Sequence, residues 1–246
     1  TRVRALLQEW TARGVLHPCR APSFWVYEQE FDMPETGRRS VKGFIGSVRV
    51  ADYAERRVLP HEKVLKGPLE DRIRLTRETN TQFEYIWSIY RDRAYVIDNV
   101  LDEATRGAPI IDYVERPLGV RHRLWRLTDP GTCDIISRTM ARLTIYIADG
   151  PHRFQPMLTV RDEMRRRFPG AGPDAPWESI MMFLVNSEHE GLTILPTHRI
   201  VGGLQVDNIR ALGVEIMDYF HVKKYSFRAG DEGQARRRWL RDLRAT

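Results

Sequence analysis

The run LTIYIADGPHRFQPML, residues 143–158, passes from a β-prone apolar segment through Asp149-Gly150-Pro151 into a helix-forming one. A strand that enters a helix through a glycine must set both elements against a common core, so the run calls for a sheet with helices layered on it. The flanking sequence keeps alternating in the same way. Residues 129–141 read as a helix, 143–148 as a strand and 152–168 as a helix, followed by the Gly/Pro-rich loop PGAGPDAP at 169–176. ESIMMFLVN and LTILP read as core strands, and a helix is expected near 206–219.

The N-terminal half has the same mixed character. Leu6, Leu7 and Trp10 before Gly14 mark a short amphipathic helix. SFWVYEQEF and SVKGFIGSVRV, joined by DMPETGRR, predict an antiparallel hairpin over 23–50. A short helical turn, a loop around Pro60 to Lys63 and a helix opened by Pro68 come next. QFEYIWSIY is read as a strand and YVIDNVLDEATRG as a helix; IIDYVER and VRHRLWRL make a second hairpin. The tail, HVKKYSF plus a charged segment, is expected to add a strand and a helix. These readings define an α/β, mixed-sheet domain elaborated by hairpins and helices. A single domain is expected, with a core over about 23–203 and an extension over 204–246.

Composition narrows the function classes. Hydrophobic residues make up 42% and charged residues 29%, the balance of a folded globular chain. The net charge is +6, a weak preference for anionic partners. Only five of the 39 basic side chains are lysines, and the arginines are scattered through every segment. The densest group, Arg236 to Arg238 with Arg241 and Arg244, shares its helix with Asp242 and reads as a solvated face. Cys19 and Cys133 are isolated, which supports neither a disulfide framework nor a zinc ribbon and suits a reducing cytoplasm. No apolar run approaches the roughly 20 residues of a membrane span. The chain opens at Thr1 inside an amphipathic pattern, so a segment upstream is expected.

Three polar knots interrupt the apolar segments: Pro60-His61-Glu62-Lys63, Asp149-Gly150-Pro151-His152-Arg153 and Pro196-Thr197-His198-Arg199. At the middle knot a strand turning through glycine into a helix aims free backbone N–H groups at solvent, where an anion neutralises them. His152 and Arg153 add positive charge there, and the arginine fork matches phosphate oxygens. The same residues also serve an ordinary helix start, with Asp149 as cap, Pro151 in the first turn and Arg153 paired to an acid. Spacing alone leaves both readings open. Glu62 is a carboxylate able to take a proton from a hydroxyl, beside a lysine able to neutralise phosphate; the plain alternative is a salt-bridged loop. Thr197, His198 and Arg199 either line a pocket or finish a strand. No histidine has partners at metal-ligand spacing, and the GxxxxGK[ST], GxGxxG and GxSxG patterns are missing.

The segments GFIGSVRVADYAERRVLPHEKV, GPLEDRIRLTRETNTQF, VRHRLWRLTDP, YIADGPHRF and LVNSEHEGLTILPTHRIV, taken in order, resemble the family catalogued as domain of unknown function 1015 (DUF1015). Where this chain has Gly150-Pro151-His152-Arg153, that family carries a Gly-His-His-Arg run, which looks like the signature of the ParB/sulfiredoxin-like fold. The resemblance implies a glycine turn and following helix that hold nucleotide phosphates, as in chromosome-partitioning CTPases, sulfiredoxin and free-serine kinases. It therefore implies a nucleotide-dependent phosphotransferase acting on a small hydroxyl substrate such as serine, with ATP or ADP, or alternatively CTP, and Mg2+ carried on the phosphates. The residues implied are Glu62, Lys63 and His152 for catalysis, and His61, Asp149, Gly150, Arg153, Thr197, His198 and Arg199 for binding. Pro151 departs from the family pattern by removing one N–H from the turn, a loss on the order of 1.5–3 kcal/mol, or roughly 10- to 150-fold in affinity. A nucleotide-binding sensor without catalysis is therefore the second reading. Pro156 predicts a helix that bends or begins later. A nucleic-acid partner is not expected, since the sequence shows neither a helix-turn-helix nor an aromatic-basic stacking ladder.

Overall fold

The computed structural model describes residues 2–19, 21–33, 37–62, 66–194 and 203–244, with the side chains of 66–69 and 243–244 outside that description. The chain divides into two compact units, Thr1–Thr193 and Ile194–Thr246.

The first unit opens with helix α1 (Arg2–Ala12) and the hairpin β1 (Phe24–Met33) and β2 (Gly37–Arg49). A 3-10 turn at Tyr53–Glu55 leads to β3 (Val58–Leu59), then α2 (Lys66–Thr79), β4 (Ile86–Tyr90) and α3 (Val96–Ala104). The second hairpin is β5 (Ile111–Val114) and β6 (Arg121–Leu127), followed by α4 (Pro130–Met140), β7 (Ile145–Asp149), α5 (Pro151–Arg167) and β8 (Ser179–Asn186). The eight strands form a mixed sheet ordered β3-β7-β4-β8-β2-β1-β6-β5. β3 runs parallel to β7 and β4 parallel to β8, while the remaining neighbours are antiparallel. β3 has two residues, too short for a periodic signal.

Alternation along the strands sorts side chains onto two faces. Val26, Phe44, Ile86, Tyr90, Ile147, Met182 and Leu184 point to the main core, where Ile97, Leu101, Ile136, Phe154 and Met157 from α3, α4 and α5 pack on them. Burying each such side chain contributes roughly 1.5–3 kcal/mol. The opposite face carries Phe183, Val41 and Val185, with Tyr27, Tyr85 and Trp87 packed around them.

Local chemistry sets the helix ends. Asp129 caps α4 by accepting from Thr132 N at 2.8 Å, with Pro130 in the first turn. Asp92 ties down the start of α3 by accepting from Ala94 N and Ile97 N, both at 3.1 Å. α5 begins at Pro151 and continues through the buried Pro156, so of the two expectations, a bend or a later start, the later start does not hold. Buried Arg161 on α5 donates to Val50 O at 2.8 Å and to Asp52 at 3.0 Å, which pins the segment after β2.

Glu178, ahead of β8, is 5% exposed and receives Arg165 Nε at 2.7 Å. The Arg165 guanidinium holds its carboxyl below the ordinary carboxylate value, with burial opposing. A depressed value means stability present above the unfolded value of 4.5 and lost as pH falls through the lower folded one. Between about pH 6 and about pH 3 the melting temperature of Glu178→Gln is accordingly expected to fall less than that of the unaltered chain. Equal acid sensitivity in calorimetric scans would show that the pair contributes nothing.

The second unit holds α6 (Val206–Glu215), a 3-10 turn at Ile216–Asp218 and α7 (Glu232–Arg244). The HVKKYSF segment at 221–227, predicted as a strand, has no regular structure. Its Lys223 pairs with Asp242 of α7, and Tyr225 Oη donates to the same carboxylate at 2.9 Å, so side-chain bonds to a helix replace a ladder. Arg236, Arg237 and Arg238 are solvated as expected. The LTILP reading also fails over its described residues: Leu192 to Ile194 form no strand, because the chain turns after Asn186 through bonds from His189 N to Asn186 O and Leu192 N to His189 O.

Candidate functional site

The parallel pairing of β3 with β7 sets the geometry of the site. Val58 lies beside Ile145 and Leu59 beside Tyr146, so both strands end at the same edge of the sheet. The His61-Glu62 loop therefore emerges next to the Asp149-Gly150 turn, although 86 residues separate His61 from Ile147. The contact is direct: His61 Nδ1 donates to Ile147 O at 2.7 Å, and His61 Nε2 lies 3.7 Å from Glu62 Oε1. A single hydrogen bond to a strand carbonyl thus orients the imidazole and leaves its other nitrogen facing the carboxylate.

Gly150 stands at the N-cap of α5 with φ 85° and ψ 35°, the left-handed conformation that glycine adopts without steric cost. Its carbonyl accepts from Arg153 N at 2.9 Å, closing a tight first turn. The Arg153 guanidinium packs close over the glycine: a Cβ at Gly150 would lie 2.4 Å from Arg153 Nη2, so a larger residue would displace that side chain. The guanidinium thus folds back over the turn. It donates through Nη1 to Glu84 at 2.6 Å and through Nη2 to Asp149 at 3.3 Å. Asp149 serves as a partner of Arg153 rather than as a helix cap, and α5 has no side-chain cap. Pro151 occupies the first helical position, where an N–H would have no partner inside the helix.

Two polar atoms at this turn are shut off from solvent without a hydrogen-bond partner among the described residues: His152 Nδ1 and Arg153 Nε. The carboxylates are open by contrast, with Asp149 79% and Glu62 52% exposed. Glu84, Arg153, Pro156 and Met157 border a cleft of about 50 Å³.

The structure brings together His61, Glu62, Asp149, Gly150, His152 and Arg153. Lys63, Thr197, His198 and Arg199 lie outside the described residues. Glu84 and Tyr85 are neighbours that the sequence reading passes over. They reach the turn because β4 runs antiparallel to β7, pairing Trp87 with Asp149 across an irregularity in the ladder. Burial pushes the Tyr85 phenol above its ordinary value, partly offset by a hydrogen bond with Tyr27 and by the Arg153 guanidinium. An acid just ahead of a strand was the available signal for Glu84, and it becomes informative only once β4 is known to flank β7.

A glycine turn that joins a sheet strand to a helix, faced by a loop from a parallel neighbour, belongs to a mixed α/β architecture. The chain belongs to the family described as "Protein of unknown function (DUF1015)", whose model matches residues 1–242. No curated protein and no solved structure matches it. Among the described residues no helix is long and apolar enough to cross a membrane.

Proposed function

We propose that this chain is a nucleotide-dependent phosphotransferase acting on a small hydroxyl substrate, with the phosphates held at the Gly150 turn. The observation that carries the reading is the convergence at one sheet edge of the left-handed Gly150, the folded-back Arg153 and the His61-Glu62 loop. The helix start supplies backbone N–H groups, Arg153 supplies a planar fork, and Glu62 supplies a base on the facing loop.

On this reading Arg153 exchanges Asp149, its longer partner at 3.3 Å, for a phosphate oxygen while keeping Glu84 at 2.6 Å. The acceptor hydroxyl oxygen forms a bond to the terminal phosphorus as the bond from that phosphorus to the bridging oxygen breaks. Glu62 takes the hydroxyl proton, and the nucleotide leaves one phosphoryl group shorter. Mg2+ would be held by the nucleotide phosphates rather than by side chains of the chain, and would supply neutralisation of the charge that develops on the leaving oxygen. His61, fixed by Ile147 O, keeps the Glu62 loop against the turn.

The test is phosphorus NMR on the chain with Mg2+, ATP or ADP, and serine. Phosphoserine should accumulate, and Glu62→Gln should slow it by roughly 100-fold or more. The second reading, a nucleotide sensor, is favoured by one feature: Arg153 is already neutralised by two carboxylates beside a turn that lacks the Pro151 N–H. Nucleotide binding without transfer to serine or other small alcohols selects the sensor.

A further inference from the structure

Helices α2 and α5 pack on each other, and the segment 80–84 between α2 and β4 adds a third wall to a groove that starts at Arg153. Its first part is the small cleft bordered by Glu84, Arg153 and Met157. Its second is a hollow of about 230 Å³ lined by Asn80, Met157, Val160, Met164 and Trp177. Thr76, Thr81, Gln82 and Met157 line both parts, so the two are continuous. Met157 stands one turn of α5 beyond Arg153 and Val160 about two, roughly 6 and 10 Å along the axis. Arg77 Nε donates to Glu163 at 3.0 Å and ties the two helices together.

The chemistry changes along the groove. Its turn end is charged, whereas no ionisable side chain lines the hollow among the described residues. Met157, Met164 and Trp177 suit the flat face of a heterocycle, and the Trp177 ring is backed by Phe168 at a centroid distance of 5.5 Å. Gln82 holds the wall and not a ligand, since its Nε2 donates to Ser179 O at 3.0 Å and its Oε1 accepts from Met181 N at 2.6 Å. Asn80 is different. It ends α2 in the left-handed conformation, φ 48°, with its N–H donating to Thr76 O at 2.8 Å, and its exposed amide is held by no other side chain among the described residues. A primary amide offers a donor and an acceptor together, the pair that matches N7 and the N6 amine of adenine. Guanine presents two acceptors on that edge and calls for a cation, and the cytosine amine calls for a carboxylate. The hollow is lined by neither. Its volume is that of a single base, below the roughly 300–1,000 Å³ of sites that enclose a drug-sized ligand.

We propose that this hollow takes the adenine of the nucleotide whose phosphates sit at the Gly150 turn, an assignment that rests on the nucleotide reading of that turn. The ribose passes Glu84. That carboxylate spends Oε2 on Arg153 Nη1 at 2.6 Å, and its other oxygen, without a donor among the described residues, suits a ribose hydroxyl.

The test is NMR titration of the full chain with Mg2+ and, in turn, ADP, GDP and pyrophosphate. ADP should shift the amides of Gly150, His152 and Arg153 together with the methyls of Met157 and Met164, and pyrophosphate should shift the amides alone. ADP should bind about 10-fold or more tightly than GDP. Asn80→Gly keeps the left-handed backbone conformation, which glycine adopts freely, and should bring ADP to the affinity of GDP while leaving pyrophosphate binding unchanged. Turn amides that respond to pyrophosphate while ADP leaves both methionines still would overturn the base site and spare the phosphate reading. ADP no tighter than GDP, or an Asn80→Gly chain that keeps the preference for ADP, would overturn the choice of adenine. Turn amides that respond to neither ligand would overturn the nucleotide reading and the base site with it.

Discussion

Gly43→Ala is expected to destabilise the first unit by about 3 kcal/mol or more, by overpacking the most central strand pair of the sheet. Gly43 lies on β2, opposite Tyr27 of β1, with β8 on its other side. A Cβ at that position would lie 2.3 Å from the Leu184 carbonyl oxygen, 2.8 Å from Val185 and 2.9 Å from Phe183. The first of these is backbone, which cannot swing aside as a flexible side chain can. Relief requires β2 and β8 to part, and Phe44, Met182 and Leu184 of the main core hang on that pair. With total stabilities on the order of 5–15 kcal/mol, the loss is a large share of the whole. In a chain of this size it corresponds to a melting temperature lower by roughly 6–12 °C. Gly172→Ala is the control, since nothing lies within 4 Å of a Cβ there, and it should stay within about 0.5 kcal/mol. A Gly43→Ala chain that melts with the control would contradict the β2–β8 register.

The other large effects concern nucleotide affinity, and they run in opposite directions. Arg153→Ala should leave stability nearly unchanged, because the ion pairs it breaks are exposed on the carboxylate side and worth about 1 kcal/mol or less. On the proposed reading it should weaken Mg2+-nucleotide binding by roughly 10- to 150-fold, the value of one charge-assisted hydrogen bond. Pro151→His returns an N–H to the first helical position, where no intrahelical partner competes for it, and should tighten binding by a factor in the same range. Isothermal titration on both variants reads the two shifts. Affinity that moves with neither substitution would separate the nucleotide from this turn.

Much of the fold was legible because the relevant signals are local. The 23–50 hairpin, the helix capped by Asp129 and the passage from β7 into α5 each follow from turn residues and periodicity that a short window contains. The departures come from partners distant in sequence. HVKKYSF has strand composition, yet Lys223 and Tyr225 find Asp242 on α7. LTILP has strand composition, yet over its described residues, Leu192 to Ile194, it forms no strand, following bonds from His189 N to Asn186 O and from Leu192 N to His189 O. Pro156 looked like a helix breaker, but α5 buries it against the core rather than starting after it.

The site was legible to a similar degree. Its own residues were visible as a knot at 149–153, and His61 with Glu62 as another. Their adjacency depends on β3, whose two residues carry no pattern of their own. Glu84 and Tyr85 were hidden for the same reason: nothing in their local sequence says that β4 lies beside β7. The aromatic group on the sheet face opposite the main core was equally beyond a local reading. Phe183 touches Tyr27, Tyr85 and Trp87 at ring-centroid distances of 5.2, 5.5 and 5.4 Å, and these rings come from three separate stretches of chain.

The most direct measurement is a titration of the 15N-labelled chain with ATP, ADP and CTP in the presence of Mg2+. Saturable shifts centred on the Gly150, His152 and Arg153 amides, reaching His61 and Glu62, are the predicted result. Amides that stay still in that turn while nucleotide is added to excess would contradict both the phosphotransferase and the sensor readings.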